Sequence, residues 1–236
     1  MGSRVGVAPS LALVAICAVA GVSALATDAL AQTQRRVFDP QLVESRARIP
    51  YRALTHDDFR AAKRPDDVAD THGRLGALTC VDLTTHPDLY IRATSEGNDG
   101  QLGRVRARVR NLAFTASMDR DCSWWNPQHV GLPHEYILEH EQIHFALFEI
   151  AARRLNQQAA RIQERVEAVA RTQDEAIDEV QRRLDAELRA AFEQVKLRSD
   201  DLDRQTSFAY RRERQRWWYR QVDEELSRLP VDAQRR

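Results

Sequence analysis

Between His134 and Leu229 the chain contains neither glycine nor proline. A stretch this long without a breaker reads as helix, and it exceeds any single globular helix, so it must turn back at least once. The best turning point is Thr172, where Thr172 and Glu175 have the spacing of a capping box. A second break falls in "RSDDLDRQTS", residues 198–207. The pattern predicts one helix from about Glu135 to Ala170, a second from about Asp174 to Leu197 and a last one from about Phe208 to Leu229. The first two form an antiparallel helical hairpin. Their charged faces read as solvent faces.

The preceding segment has a different texture. Residues 32–74 are polar and punctuated by Pro40, Pro50 and Pro65. "IPYRALTHDDFRAAKRPDD" reads as a short extended piece, a turn or short helix, and a loop. "LGALTCVDL" (75–83) and "DLYIRAT" (88–94) are strand-like, and "EGNDG" (96–100) is a turn signal. In "GRVRARVRNLAFTAS" Val105, Ala107 and Val109 alternate with Arg104, Arg106, Arg108 and Arg110, the period of a half-buried strand. The apolar parity slips at Asn111, which predicts a bulge or bend there. Two or three antiparallel strands are expected, tied by cysteines to the loop "DRDCSWWNPQHVGLP". The fold class is therefore α+β, a small antiparallel sheet packed on a helix, then the hairpin and the last helix. At 236 residues the chain suits one domain with an extension.

Lys+Arg and Asp+Glu both number 35, so the net charge is zero. Nothing electrostatic calls for a nucleic-acid partner, and the arginine row of residues 104–110 reads as a solvated strand face. The extension is the N-terminus. Arg4 precedes an uncharged run to Asp28 with its apolar centre at Leu11 to Leu25, and Ala29-Leu30-Ala31 supplies small residues before Gln32. This is the shape of a secretory signal peptide, residues 1–31, cut after Ala31. An uncleaved anchor is the alternative, since the run is long enough to span. Cleavage leaves residues 32–236 as a single domain, periplasmic or secreted, with no membrane contact. Cys80 and Cys122 then remain, and an even pair in an oxidising compartment is most simply a disulfide. Two free thiols or zinc ligands are the other reading.

On the first long helix, "LEHEQIHFALF" (138–148) contains His140, Glu141 and His144 in H-E-x-x-H order. Histidines four apart lie about 40° apart around a helix, so both imidazoles reach one metal. Glu141 lies about 100° from His140, placed to deprotonate a water instead of binding the ion. Zinc would lower that water's pKa toward ~7 and polarise a carbonyl, which is the chemistry of peptide hydrolysis. Ile137, Leu147, Phe148, Ala151 and Leu155 share the histidines' side, so the pair faces inward on an apolar stripe. A core histidine pair would face inward too, but two buried imidazoles need a shared partner. The paired tryptophans, Trp124-Trp125 and Trp217-Trp218, read as core caps before they read as a substrate groove.

These segments resemble a bacterial family of predicted secreted zinc-dependent proteases, built on a domain of otherwise unknown function. "YRALTHDDFR" is similar to its Tyr-x-x-Leu-x-x-x-Asp-Phe opening, "VRNLAFTASMDRDCSWW" to its strand leading into Ser-Trp, and "LEHEQIHFALFEIAARRL" to its His-Glu-Gln-x-His-Phe segment. In "LDRQTSFAYRRERQRWW", Asp203, Thr206, Gln215 and Trp218 match a late family motif. That motif's histidine falls on Phe208 and its glycine on Ala209. An aspartate that often follows His-Phe falls on Ala146. The resemblance implies a zincin-like domain and an exported zinc metallopeptidase acting on peptide or protein substrates, with His140 and His144 as ligands and Glu141 as general base. No histidine follows His144, so a downstream third ligand must be a carboxylate. Asp203 is the first choice because it matches the motif. His72, His129 and His134 are upstream alternatives, and Glu149 projects about 140° from His144. The loss at Phe208 supports the alternative function, a degenerate member acting as an exported helical binding or scaffold protein that kept the fold and lost the metal or the activity.

Overall fold

The strand-forming half of the chain makes two antiparallel sheets, not one. The computed structural model describes residues 33–36, 47–65, 76–96, 103–129, 131–207 and 210–230. The expected signal peptide 1–31, His72, residues 97–100 of the expected turn, and Phe208 with Ala209 lie outside them. Strands are β1 (Thr33–Arg36), β2 (Arg48–Pro50), β3 (Ala77–Thr85), β4 (Tyr90–Glu96), β5 (Arg104–Arg110), β6 (Phe114–Trp125) and β7 (Ala168–Ala170). Helices are α1 (His134–Gln157), α2 (Ala159–Val166), α3 (Gln173–Thr206) and α4 (Arg212–Arg228). The sheet orders are β1-β4-β5-β7 and β2-β6-β3. The architecture is α+β.

The alternation of residues 104–110 is realised in β5. Ala107 and Val109 are buried, while Arg104, Arg108 and Arg110 are exposed. The arginine face is answered by carboxylates: Arg106 pairs with Glu96 and Glu167, and Arg108 with Glu167. At Asn111 the backbone takes φ 53°, a left-handed conformation that asparagine tolerates. This is more than the expected bend, because the chain leaves one sheet and enters the other there.

Residues 119–125, expected as a loop, belong to β6. Cys80 and Cys122 form a disulfide between two paired strands, with Cα atoms 5.8 Å apart. The register of β3 on β6 jumps between Leu78↔Trp124 and Cys80↔Asp119, so β6 carries a large bulge. Ser123 closes it by accepting from Cys80 N (2.9 Å) and donating to Asp119 O (2.6 Å). The cysteines are 42 residues apart, which gives a loop-closure contribution of about 4 kcal/mol. Replacing both with serine is expected to lower the unfolding free energy by about 2–5 kcal/mol in urea titrations. An unchanged midpoint would remove the disulfide from the account of stability.

The helical half departs from expectation in three places. First, α1 stops at Gln157. The Asn156 amide accepts from Phe114 N (2.7 Å) and donates to Phe114 O (2.9 Å), pinning the helix end to the start of β6. The chain then turns through α2, burying Ile162 and Val166, and pairs as β7 on the edge of β5. No glycine or proline marks this; the unpaired edge of β5 supplies the hydrogen bonds. Second, α3 begins at the predicted capping box, where Glu175 N donates to Thr172 Oγ1 (3.3 Å) and Thr172 N to Glu175 Oε2 (3.1 Å). It then runs unbroken through residues 198–206, because Ser199, Leu202 and Thr206 continue its buried face. Third, α4 starts at Arg212, not at Phe208.

Packing fixes the directions. Tyr136 and His140 meet Thr206 and Asp203, while Phe148 meets Phe192, so α3 runs antiparallel to α1 as the hairpin predicts. Helix α4 lies along both: Gln215 Nε2 donates to Tyr136 O (2.8 Å), Trp218 Nε1 to Gln205 Oε1 (3.0 Å), and Arg153 caps its end at Leu226 O and Leu229 O. On its other side α1 packs against β3 and β6. At Gly76 the approach is close: a Cβ there would lie 2.8 Å from Cδ1 of the fully buried Ile137. Gly76→Ala is expected to cost about 1–3 kcal/mol by overpacking, read as a lowered thermal midpoint. An unchanged midpoint would mean that α1 yields freely there.

Candidate metal centre

Helical spacing puts His140 and His144 on one face of α1, and α3 brings Asp203 to it. His140 Nε2 lies 2.9 Å from Asp203 Oδ1, His144 Nε2 lies 3.1 Å from the same oxygen, and the two Nε2 atoms are 3.0 Å apart. Both histidines are buried, and the Asp203 side chain is 20% exposed. Two ring nitrogens and a carboxylate oxygen are mutual neighbours only with protons or a cation between them. A tetrahedral ion with bonds of ~2.0–2.1 Å separates its ligands by ~3.3 Å. The three atoms therefore fit such an ion after spreading by a few tenths of an ångström. This His140–His144–Asp203 group could hold a metal ion.

Charge is organised around the same point. Burial works against charge on His144, yet the Asp203 carboxylate, its hydrogen bond and Glu141 raise the imidazole above the ordinary histidine range. Burial alone would raise Asp203, but the charge of His144 and hydrogen bonds from both imidazoles hold it well below the carboxylate range. Ser207 Oγ adds a bond to Asp203 Oδ1 at 3.1 Å.

Glu141 is fully buried and turned toward β3, where Thr79 Oγ1 donates to its Oε2 at 2.5 Å. Thr79 shares a strand face with Ala77 and Val81, which belong to the core under α1. In the sequence, the signal for this contact is a threonine at an inward position of the strand "ALTCVDL".

The other candidates among the described residues lie elsewhere. Glu149 pairs with Arg153 at 2.7 Å. The exposed His134 stacks edge-on with Trp125, and His129 is not in the cluster. The remaining motif residues have structural duties. Gln142 bridges the 52–54 backbone, accepting from Leu54 N (2.6 Å) and donating to Arg52 O (3.2 Å), and Tyr51 packs edge-on against Phe145. Asp58 is buried in a two-pronged pair with Arg52, and Phe59 contacts Trp125. Trp125 and Trp218 are both buried core caps, whereas Trp217 is 37% exposed under the guanidinium of Arg214.

No helix among the described residues is long and apolar enough to cross a membrane, and the disulfide is consistent with an extracellular location. Comparison with family models, curated proteins and solved structures finds no match to this chain.

Proposed function

We propose that this protein is an exported zinc-dependent metallopeptidase, related to the secreted zinc-protease family that its motifs resemble. One observation carries the reading: His140, His144 and Asp203 converge within 3.1 Å, and Glu141 follows His140 on α1 with its carboxylate held by Thr79. Two imidazoles and a carboxylate are a donor set that suits zinc with one position open. Bound there, zinc would supply Lewis acidity and make a water acidic enough to be deprotonated near neutral pH. The chain's residues do the rest. His140, His144 and Asp203 hold the ion. Glu141 takes a proton from the attacking water and returns it to the leaving amine. Thr79 fixes the carboxylate's rotamer. The disulfide and the N-terminal segment ending at Ala31 support a periplasmic or secreted location, with peptides or proteins as substrates.

Burial favours one second reading. His140, Glu141 and His144 are each at most 1% exposed, so the metal would tie α1 to α3 in a scaffold without turnover. Zinc per chain and hydrolysis of a fluorogenic peptide library, beside a His140→Ala, His144→Ala double variant, separate the two. About one zinc with hydrolysis in the parent, and neither in the variant, is the expected result. Zinc without hydrolysis supports the scaffold, and no zinc in the parent overturns both.

A further inference from the structure

The last turn of α3 supplies more than Asp203. Thr206 is fully buried, and its Oγ1 lies 2.7 Å from Leu202 O and 3.0 Å from His140 Nδ1. A hydroxyl has one proton, and the carbonyl of Leu202 can only accept it. Toward His140 the hydroxyl is therefore an acceptor, so His140 Nδ1 must carry a proton. That leaves Nε2 as the nitrogen able to bind a metal, and Nε2 is the atom aimed at His144 and Asp203.

The turn itself is tied down. Tyr136, one turn before His140, donates from its hydroxyl to Thr206 O at 2.9 Å and accepts from Arg211 N at 3.3 Å. His144 differs: its Nδ1 is buried with no hydrogen-bond partner among the described residues. Of the two imidazoles, only His140 has its tautomer set by a neighbour in this way.

We infer that Thr206 is the positioning residue of the metal centre, holding His140 as the Nδ1–H tautomer with Nε2 presented to the ion. The inference rests on reading the cluster as a zinc site. Partners of this kind, behind a ligating histidine, are worth about 10–100-fold in metal affinity. Valine removes the hydroxyl at nearly equal volume; serine keeps it.

The test measures zinc affinity by chelator competition in the parent, Thr206→Val and Thr206→Ser. It also records the His140 ring Nδ1–H signal by nitrogen-edited NMR of the zinc-loaded protein. The expected result is zinc binding weakened about 10–100-fold by valine and restored to within about threefold by serine. The parent should show a slowly exchanging Nδ1–H on His140. Equal affinity in parent and Thr206→Val overturns the inference and leaves the zinc reading intact. A parent that binds no zinc overturns both. Should the valine protein not fold, the parent spectrum decides: a His140 coordinated through Nδ1 overturns the assignment, and a protonated Nδ1 upholds it.

Discussion

Glu141→Gln is expected to lower kcat/KM for peptide hydrolysis by about 10²–10⁴-fold while leaving zinc content unchanged. The substitution keeps the side chain's length and shape. Its amide oxygen can still accept from Thr79, whose hydroxyl is 2.5 Å from Oε2 in the parent. Burying a neutral amide in place of a carboxylate adds no desolvation cost, so the fold should persist. What disappears is the ability to take a proton. Hydrolysis and elemental analysis on the same preparation check both halves. Full activity with full zinc would remove Glu141 from the mechanism. Loss of zinc along with activity would mean that Glu141 supports the ligands instead of acting as base.

Asp203→Ala should be equally severe by a different route. Zinc bound by four protein ligands in small domains contributes roughly 10–16 kcal/mol, so one ligand accounts for ~2.5–4 kcal/mol, a weakening of about 10²–10³-fold. Chelator competition reads it directly. An unchanged affinity would show that the third ligand is another group.

The same substitution has a signature in the metal-free protein. His144 has a raised pKa, so its contribution is fully present below the unfolded value of ~6.5 and is lost as pH rises through the folded one. Asp203 has a lowered pKa, so its contribution is present above ~3.9 and is lost as pH falls through the folded one. The pair therefore stabilises the metal-free fold most between about pH 4 and pH 6.5. Asp203→Ala should flatten that maximum in chemical unfolding across pH, since it removes the largest raising influences on His144. A parent with no maximum in this window would contradict the pairing.

Local periodicity carried much of the site. A helix returns to the same face after four residues, so His140 and His144 share a direction wherever α1 packs. The same kind of short-range rule made the alternation of Val105, Ala107 and Val109 readable as a strand, and Thr172 with Glu175 readable as a helix start. Cys80 and Cys122 were readable as a pair, though not as a link between adjacent strands. Their partnership depends on the register of β3 on β6, which a bulge of several residues sets.

Other features were decided only in three dimensions. Residues 198–206 contain serine, aspartates and threonine, all poor helix formers, and read locally as a break. They stay helical because Leu202 and Thr206 are buried and Asp203 reaches two histidines. Residues 168–170 look like the end of a long helix and become a strand because β5 offers an open edge. A motif match pointed to Asp203, but its distance from the histidines was set by the antiparallel packing of α3 on α1. Thr206, 66 residues from His140, carries no short-range mark of its role, and Thr79, 62 residues from Glu141, is marked only as a polar residue at an inward strand position. Helical periodicity alone sets which side chains on α1 can act together. Packing selects which distant residues join them, because burial and hydrogen-bond demand are satisfied across the interface between α1, α3 and the sheets and not along the chain.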